Sequence, residues 1–153
     1  MPTYFIYPIY TAVIGLAFVL IVPKAHFRQN AIYAITFGGA GSVAIILAYS
    51  TINAFDWLNM GPFGLGSVPL FPPLAWVLYF SIYFYILPRT KPWIYLFVFF
   101  TACYSTLLSN VFMNLEILRW NRGRLALPFF IYFTWFAAVT WIYTRIVPTS
   151  PHE

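Results

Sequence analysis

Long apolar runs alternate with short polar or proline-rich breaks along the whole chain. A helix needs about 20 apolar residues to cross roughly 30 Å of hydrocarbon. Continuous runs also argue against a membrane β-barrel, whose strands alternate in polarity over about ten residues. The pattern therefore predicts an all-α polytopic transmembrane bundle of about five spans, over residues 4–22, 31–52, 70–87, 93–112 and 127–146.

The composition points to lipid as the solvent. Hydrophobic residues make up 62% of the 153 residues and charged residues only 7%, against about a quarter charged in an average soluble domain. The charges fall between the apolar runs, so the helices lack the polar stripe of a surface helix. The first run has neither a charged n-region nor a cleavage site, and we interpret it as a retained span. We expect one transmembrane domain over residues 1–153, in the cell membrane.

The basic residues bear on orientation. Five spans place the termini on opposite sides of the membrane. The side that holds the C-terminus then carries five basic residues, Lys24, Arg28, Arg89, Lys91 and Arg145. The other side carries three, Arg119, Arg122 and Arg124. The positive-inside rule favours an outer N-terminus and an inner C-terminus. Because these residues sit in short clusters at the ends of apolar runs, the net charge of +5 indicates contact with lipid headgroups, not with nucleic acid.

Small residues and prolines predict how the helices pack and begin. The second span contains Gly38, Gly39, Ala40, Gly41 and Ser42, which would let another helix approach closely. Prolines at 69, 72, 73 and 128 stand at the starts of the third and fifth spans, where a missing amide hydrogen costs little.

Two connectors resemble each other. Asp56-Trp57-Leu58-Asn59-Met60-Gly61 follows the second span, and Glu116 followed by Trp120-Asn121-Arg122-Gly123 follows the fourth. Each connector holds an acid, a tryptophan, an asparagine and a glycine. Spans two and four point the same way, so an ancestral duplication of a helical hairpin is one explanation. Chance similarity between two aromatic-rich connectors is the other.

Polar side chains gather at one predicted membrane interface. In hydrocarbon such groups are costly unless they find partners. The functional interpretation is a ligand-binding pocket, with Asp56 and Glu116 as candidate catalytic acids and Arg119 or Arg122 as counter-ions; its candidate residues are Asn53, Asp56, Trp57, Asn110, Asn114, Glu116, Arg119 and Trp120. The structural alternative is that the amides satisfy helix-end carbonyls, Asp56 caps a turn and Glu116 pairs with Arg119 or Trp120.

Other chemistry is sparse. His26 is expected in the first loop and His152 in the tail, so neither a triad nor a haem held between helices is supported. The lone Cys103 cannot form a disulfide within the chain, and no metal-ligand spacing is present. The sequence names no cofactor. Aromatic residues, 23% of the chain, could line a groove for a quinone, carotenoid or isoprenoid, or could simply face lipid and pack.

Two resemblances follow from these features. Residues 72–147, with Asn110 and Asn114 before Glu116 and a last span begun by Pro128, resemble a family of small uncharacterised multi-pass membrane proteins of Gram-positive bacteria. That resemblance implies a membrane fold and no particular activity. The connector through Gly61-Pro62-Phe63-Gly64 to Pro72-Pro73 is similar in layout to lycopene-cyclase-type membrane domains. Leu74 and Ala75 stand where those domains carry paired acids.

The predicted function is therefore non-catalytic. We expect an accessory subunit of a membrane complex or a binder of a hydrophobic small molecule, in contact with lipids and with other subunits or further copies of the chain. One alternative is a small membrane enzyme acting on an isoprenoid or lipid through Asp56 and Glu116. Another is an oligomeric transporter or channel, although no charge lies mid-span.

Overall fold

The computed structural model describes residues 1–147, and 76% of these residues are helical. A 3₁₀ turn, Thr3–Phe5, leads into the first of five helices, and a further 3₁₀ turn covers Gly61–Phe63. These helices occupy the five predicted segments and confirm a mainly helical fold: α1 Ile6–Ile21, α2 Lys24–Thr51, α3 Phe71–Ile86, α4 Lys91–Asn114 and α5 Ala126–Ile146.

Helix length separates α3 from the others. Among the described residues, four helical stretches are long and apolar enough to cross a membrane: Thr3–Ile21, Lys24–Thr51, Lys91–Asn114 and Ala126–Ile146. Helix α3 has 16 residues, which is about 24 Å at 1.5 Å per residue. It falls short of the roughly 30 Å of a typical hydrocarbon core.

The first connector is shorter than the sequence suggested. Only Val22 and Pro23 separate α1 from α2, so the prediction of a basic first loop holding Lys24, His26 and Arg28 is wrong. Pro23 adopts an extended conformation immediately before the helix. The residues after it include good helix formers, so the helix begins about two turns before the apolar run.

Close contact between backbones holds α2 against α3. The described chain divides into two compact units, and the first contains Met1–Ile86 and Phe112–Arg122. Within it, a Cβ atom at the buried Gly38 would lie 2.5 Å from the carbonyl oxygen of Trp76. Helix α2 is π-helical over Ala34–Ala40 at this point. The prediction that the small residues of this span form a packing face is confirmed at Gly38.

The second unit contains Leu87–Val111, which includes α4 as far as Val111, and the described residues from Gly123 onward. Helix α4 buries a stripe of small and hydroxyl-bearing residues: Thr101, Ala102, Ser105, Thr106 and Ser109. The Thr106 hydroxyl donates to the Ala102 carbonyl, 2.8 Å away, which satisfies it within its own helix. Two contacts join α4 to α5 within this unit. Ser109 is hydrogen bonded to Tyr132, and the rings of Phe99 and Phe129 lie 5.8 Å apart.

Two short antiparallel ladders lie in the connectors. Strand β1, Phe55–Trp57, pairs with β4, Leu118–Trp120, and β2, Gly64–Leu65, pairs with β3, Val68–Pro69. None of these strands was predicted. Strands of two or three residues are too short for alternating polarity to be recognised, and the partner of β1 lies 63 residues away.

Candidate functional site

The β1–β4 ladder brings four of the eight predicted site residues together. Its register places Phe55 opposite Trp120, Asp56 opposite Arg119, and Trp57 opposite Leu118. Side chains alternate between the faces of a strand, so the four apolar residues share one face, with Phe55 and Trp120 6% and 7% exposed. Asp56 and Arg119 lie on the other face. The ladder therefore carries one ion pair above a buried aromatic face.

One carboxylate oxygen of Asp56 accepts from two side chains. Asn121 Nδ2 donates to Asp56 Oδ2 at 2.9 Å, and Arg119 Nη2 lies 3.1 Å from the same oxygen. The hydrogen bond from Asn121 and then the guanidinium of Arg119 hold the pKa of Asp56 below its ordinary value. A general acid needs a pKa near the working pH. The environment of Asp56 thus favours a permanent charge and not proton transfer.

Asn53 and Glu116 occupy equivalent turns at the ends of α2 and α4. Both have left-handed backbones, with φ of 51° and 57°. Asn121 Nδ2 donates to the Asn53 carbonyl at 3.2 Å, and Asn59 Nδ2 donates to the Glu116 carbonyl at 2.8 Å. The Glu116 side chain is exposed, and the prediction that it pairs with Arg119 is wrong, because Arg119 pairs with Asp56.

The two remaining asparagines serve helix α4. Asn110, in the second unit, donates to the carbonyls of Thr106 and Arg124 at 3.0 and 2.9 Å. It thereby ties the approach to α5 back to α4. Asn114 is exposed and is the last residue of α4. Neither contact of Asn110 involves the ion pair of the ladder.

Tyr7 is a residue of this region that the sequence interpretation missed. Its side chain is fully buried, and its hydroxyl lies 2.5 Å from the Leu58 carbonyl oxygen and 2.9 Å from that of Ile117. The two carbonyls belong to the two different connectors. A tyrosine within an apolar run gives no sequence signal of such a role, because its partners are backbone atoms 51 and 110 residues away.

Trp57 leaves a polar atom unsatisfied. Its ring lies 5.8 Å from that of Tyr7, and its indole nitrogen is buried without a hydrogen-bond acceptor anywhere in residues 1–147. Buried polar groups are usually paired, so an orphan of this kind requires an explanation.

A second surface of interest is the outer stripe of α4. Six large side chains recur at spacings of three and four residues, each between 46% and 64% exposed: Trp93, Leu96, Phe100, Tyr104, Leu107 and Val111. Tyr104 is the polar member at mid-helix. Its hydroxyl makes no hydrogen bond to any residue from 1 to 147, although serine and threonine hydroxyls on these helices return to their own backbone. The tyrosine hydroxyl stands too far from the backbone to do so.

Comparison with known proteins found no match to the chain among protein-family models, curated proteins or solved structures. Within the described part of the chain, no group of three or more histidine, cysteine, aspartate or glutamate side chains is placed to hold a metal ion.

Proposed function

We propose that this protein is a non-catalytic, multi-pass protein of the cell membrane that serves as an accessory subunit, docking on another membrane protein through the outer stripe of α4. All five helices cross the bilayer in this proposal, with α3 matching a locally thinned membrane. The N-terminus faces outward and the C-terminus inward, as the basic residues favour.

Tyr104 is the observation that carries the docking proposal. It stands 13 residues after Lys91 and 10 before Asn114, or about 15 to 20 Å from either end at 1.5 Å per residue. In a bilayer that depth is near the midplane, where lipid tails offer no hydrogen-bonding atom. An unsatisfied hydroxyl costs free energy there. A partner helix with a polar group at the same depth would remove that cost, while the surrounding Phe100 and Leu107 would pack against it.

The ladder supports a structural role for the polar residues. Asp56 is held by Asn121 and Arg119, and Asn59 and Asn121 satisfy helix-end carbonyls. The alternative of an enzyme requires Asp56 to exchange protons, which its lowered pKa disfavours. No specific feature of the described residues favours the enzyme or the transporter alternative.

A photo-crosslinking experiment tests the proposal. A photoreactive phenylalanine analogue replaces Phe100 of the same stripe, which keeps the Tyr104 hydroxyl, and, as a lipid-facing control, Val19 of α1, which is 72% exposed. We expect a discrete protein adduct from position 100 alone. Tyr104→Phe removes only the hydroxyl and should lower recovery of that partner about tenfold, as the loss of one buried hydrogen bond of roughly 1.4 kcal/mol implies. Val19→Ala should leave recovery unchanged.

Equal lipid adducts from both positions, with no protein adduct from position 100, would contradict the docking proposal. A second candidate function, binding of a hydrophobic small molecule, is favoured by the buried indole nitrogen of Trp57. A carbonyl-bearing molecule such as a quinone could accept its hydrogen bond. That candidate predicts that the molecule co-purifies with the protein and that Trp57→Phe abolishes its co-purification.

A further inference from the structure

The two connectors that contain β1 and β4 share one backbone geometry. Asn53 and Glu116 are 63 residues apart, and both are left-handed. The Asn53 amide donates to the Ser50 carbonyl and the Glu116 amide to the Met113 carbonyl, each at 3.1 Å. The amides of the next residues, Ala54 and Ile117, donate to the carbonyls of Tyr49 and Phe112 at 3.0 and 3.1 Å. A shift of 63 residues relates every member of each pair. The two helices thus end in the same turn, with a different sequence in each.

The same shift exchanges the two strands of the ladder. The Leu58 amide donates to the Ile117 carbonyl at 2.9 Å, and the Asn121 amide donates to the Ala54 carbonyl at 3.0 Å. Adding 63 to Leu58 gives Asn121, and adding 63 to Ala54 gives Ile117. The register likewise pairs Asp56 with Arg119, its own counterpart. A local twofold axis therefore passes through the ladder at the ion pair.

Burial in the helices repeats as well. Helices α2 and α4 precede the two connectors. Helix α2 buries Gly38, Ser42 and Ile46. Helix α4 buries the residues 63 positions later, which are Thr101, Ser105 and Ser109. In the helices after them, five buried positions of α3 recur in α5 with a shift of 56: residues 72, 75, 80, 83 and 84 against 128, 131, 136, 139 and 140. The smaller shift arises because only the first connector contains the β2–β3 hairpin.

We propose that the chain is an internal duplication of one helix–turn–strand–helix unit, and that Asp56 and Arg119 select the pairing of its two unlike copies. On a twofold axis each residue faces its own counterpart. If β1 paired with β1 of another molecule, aspartate would face aspartate, and β4 with β4 would place arginine against arginine. Like charges directly opposite each other destabilise a ladder. Unlike charges here favour the pairing of β1 with β4 and disfavour the pairing of β1 with β1, or of β4 with β4, between chains.

Charge reversal in the full-length protein tests this selection. Asp56→Arg alone puts two arginines on the axis, and Arg119→Asp alone puts two aspartates there. Each single variant should lose about 3 °C of thermal stability in detergent, the shift that roughly 1 kcal/mol produces in a chain of this size. The double variant, which exchanges the two charges, should melt within about 1 °C of the parent. Arg124→Asp, at an exposed arginine of the same connector, is the matched control and should not compensate Asp56→Arg.

Co-expression of two differently tagged single variants gives a second readout. Within each chain the axis then carries like charges, whereas exchange between an Asp56→Arg chain and an Arg119→Asp chain restores unlike charges in both ladders. We expect this mixture to co-purify across tags about fivefold more than two parent chains, as 1 kcal/mol of preference implies. Independent, additive losses in the double variant together with no excess co-purification would overturn the proposed selection.

Discussion

Replacing Gly38 by alanine will destabilise the protein more than the same replacement at Gly15 or Gly39. The new Cβ would lie 2.5 Å from the Trp76 carbonyl oxygen and 2.8 Å from Cα of Val77. These are backbone atoms, so α2 and α3 would have to separate along their whole contact. Overpacking of this kind costs about 1 to 3 kcal/mol. Thermal unfolding in detergent, followed by tryptophan fluorescence, would measure the loss.

Gly15 of α1 supplies the control. A Cβ there would meet the side chain of Leu78 at 3.6 Å, an ordinary van der Waals distance. Because alanine is favoured over glycine within a helix by about 1 kcal/mol, Gly15→Ala should be neutral or stabilising. If Gly38→Ala melted at or above the temperature of Gly15→Ala, the close crossing of α2 and α3 would be refuted.

Tyr7→Phe will loosen the junction between α1 and the two connectors. The substitution removes a hydroxyl from a fully buried side chain and leaves the Leu58 carbonyl without the donor 2.5 Å away. The Ile117 carbonyl keeps the bond from the Leu58 amide. A buried acceptor left unsatisfied costs about 1 to 3 kcal/mol. Hydrogen exchange of the β1 and β4 amides, measured by mass spectrometry, should quicken by a factor of at least about five.

Tyr4→Phe is the matched variant for this comparison. The Tyr4 hydroxyl makes no hydrogen bond with any residue from 1 to 147, and its ring packs beside Phe63 and over Gly61. Loss of its hydroxyl should therefore change neither stability nor exchange. Equal exchange rates in the two variants would mean that the Tyr7 hydroxyl does not hold the connectors together.

The sequence predicted the helices because their signal is local. Each apolar run is long enough to identify its own helix, and prolines such as Pro72 and Pro128 mark helix starts correctly. The start of α2 was missed because its first turns are polar, and polar residues form helices as readily as apolar ones outside hydrocarbon. Gly38 was identified as a packing residue from the run of small side chains around it.

The geometry of the site was less accessible because it depends on contacts distant in sequence. Asp56 and Arg119 were both named as candidates, yet nothing local indicates that they face each other across a ladder. Left-handed turns at Asn53 and Glu116 were also hidden, since glycine usually marks such positions and neither residue is glycine. The role of Tyr7 could not be predicted either, because its partners are backbone carbonyls, which every residue has.

Cysteine accessibility across α3 tests the transmembrane account most directly, because α3 is its shortest helix. In a Cys103→Ala background, single cysteines replace Ser67 before α3 and Thr90 after it, both exposed. In intact cells a membrane-impermeant maleimide should label position 67 and should reach position 90 only after permeabilisation. Labelling of both positions in intact cells, or of neither until the membrane is opened, would contradict five membrane crossings.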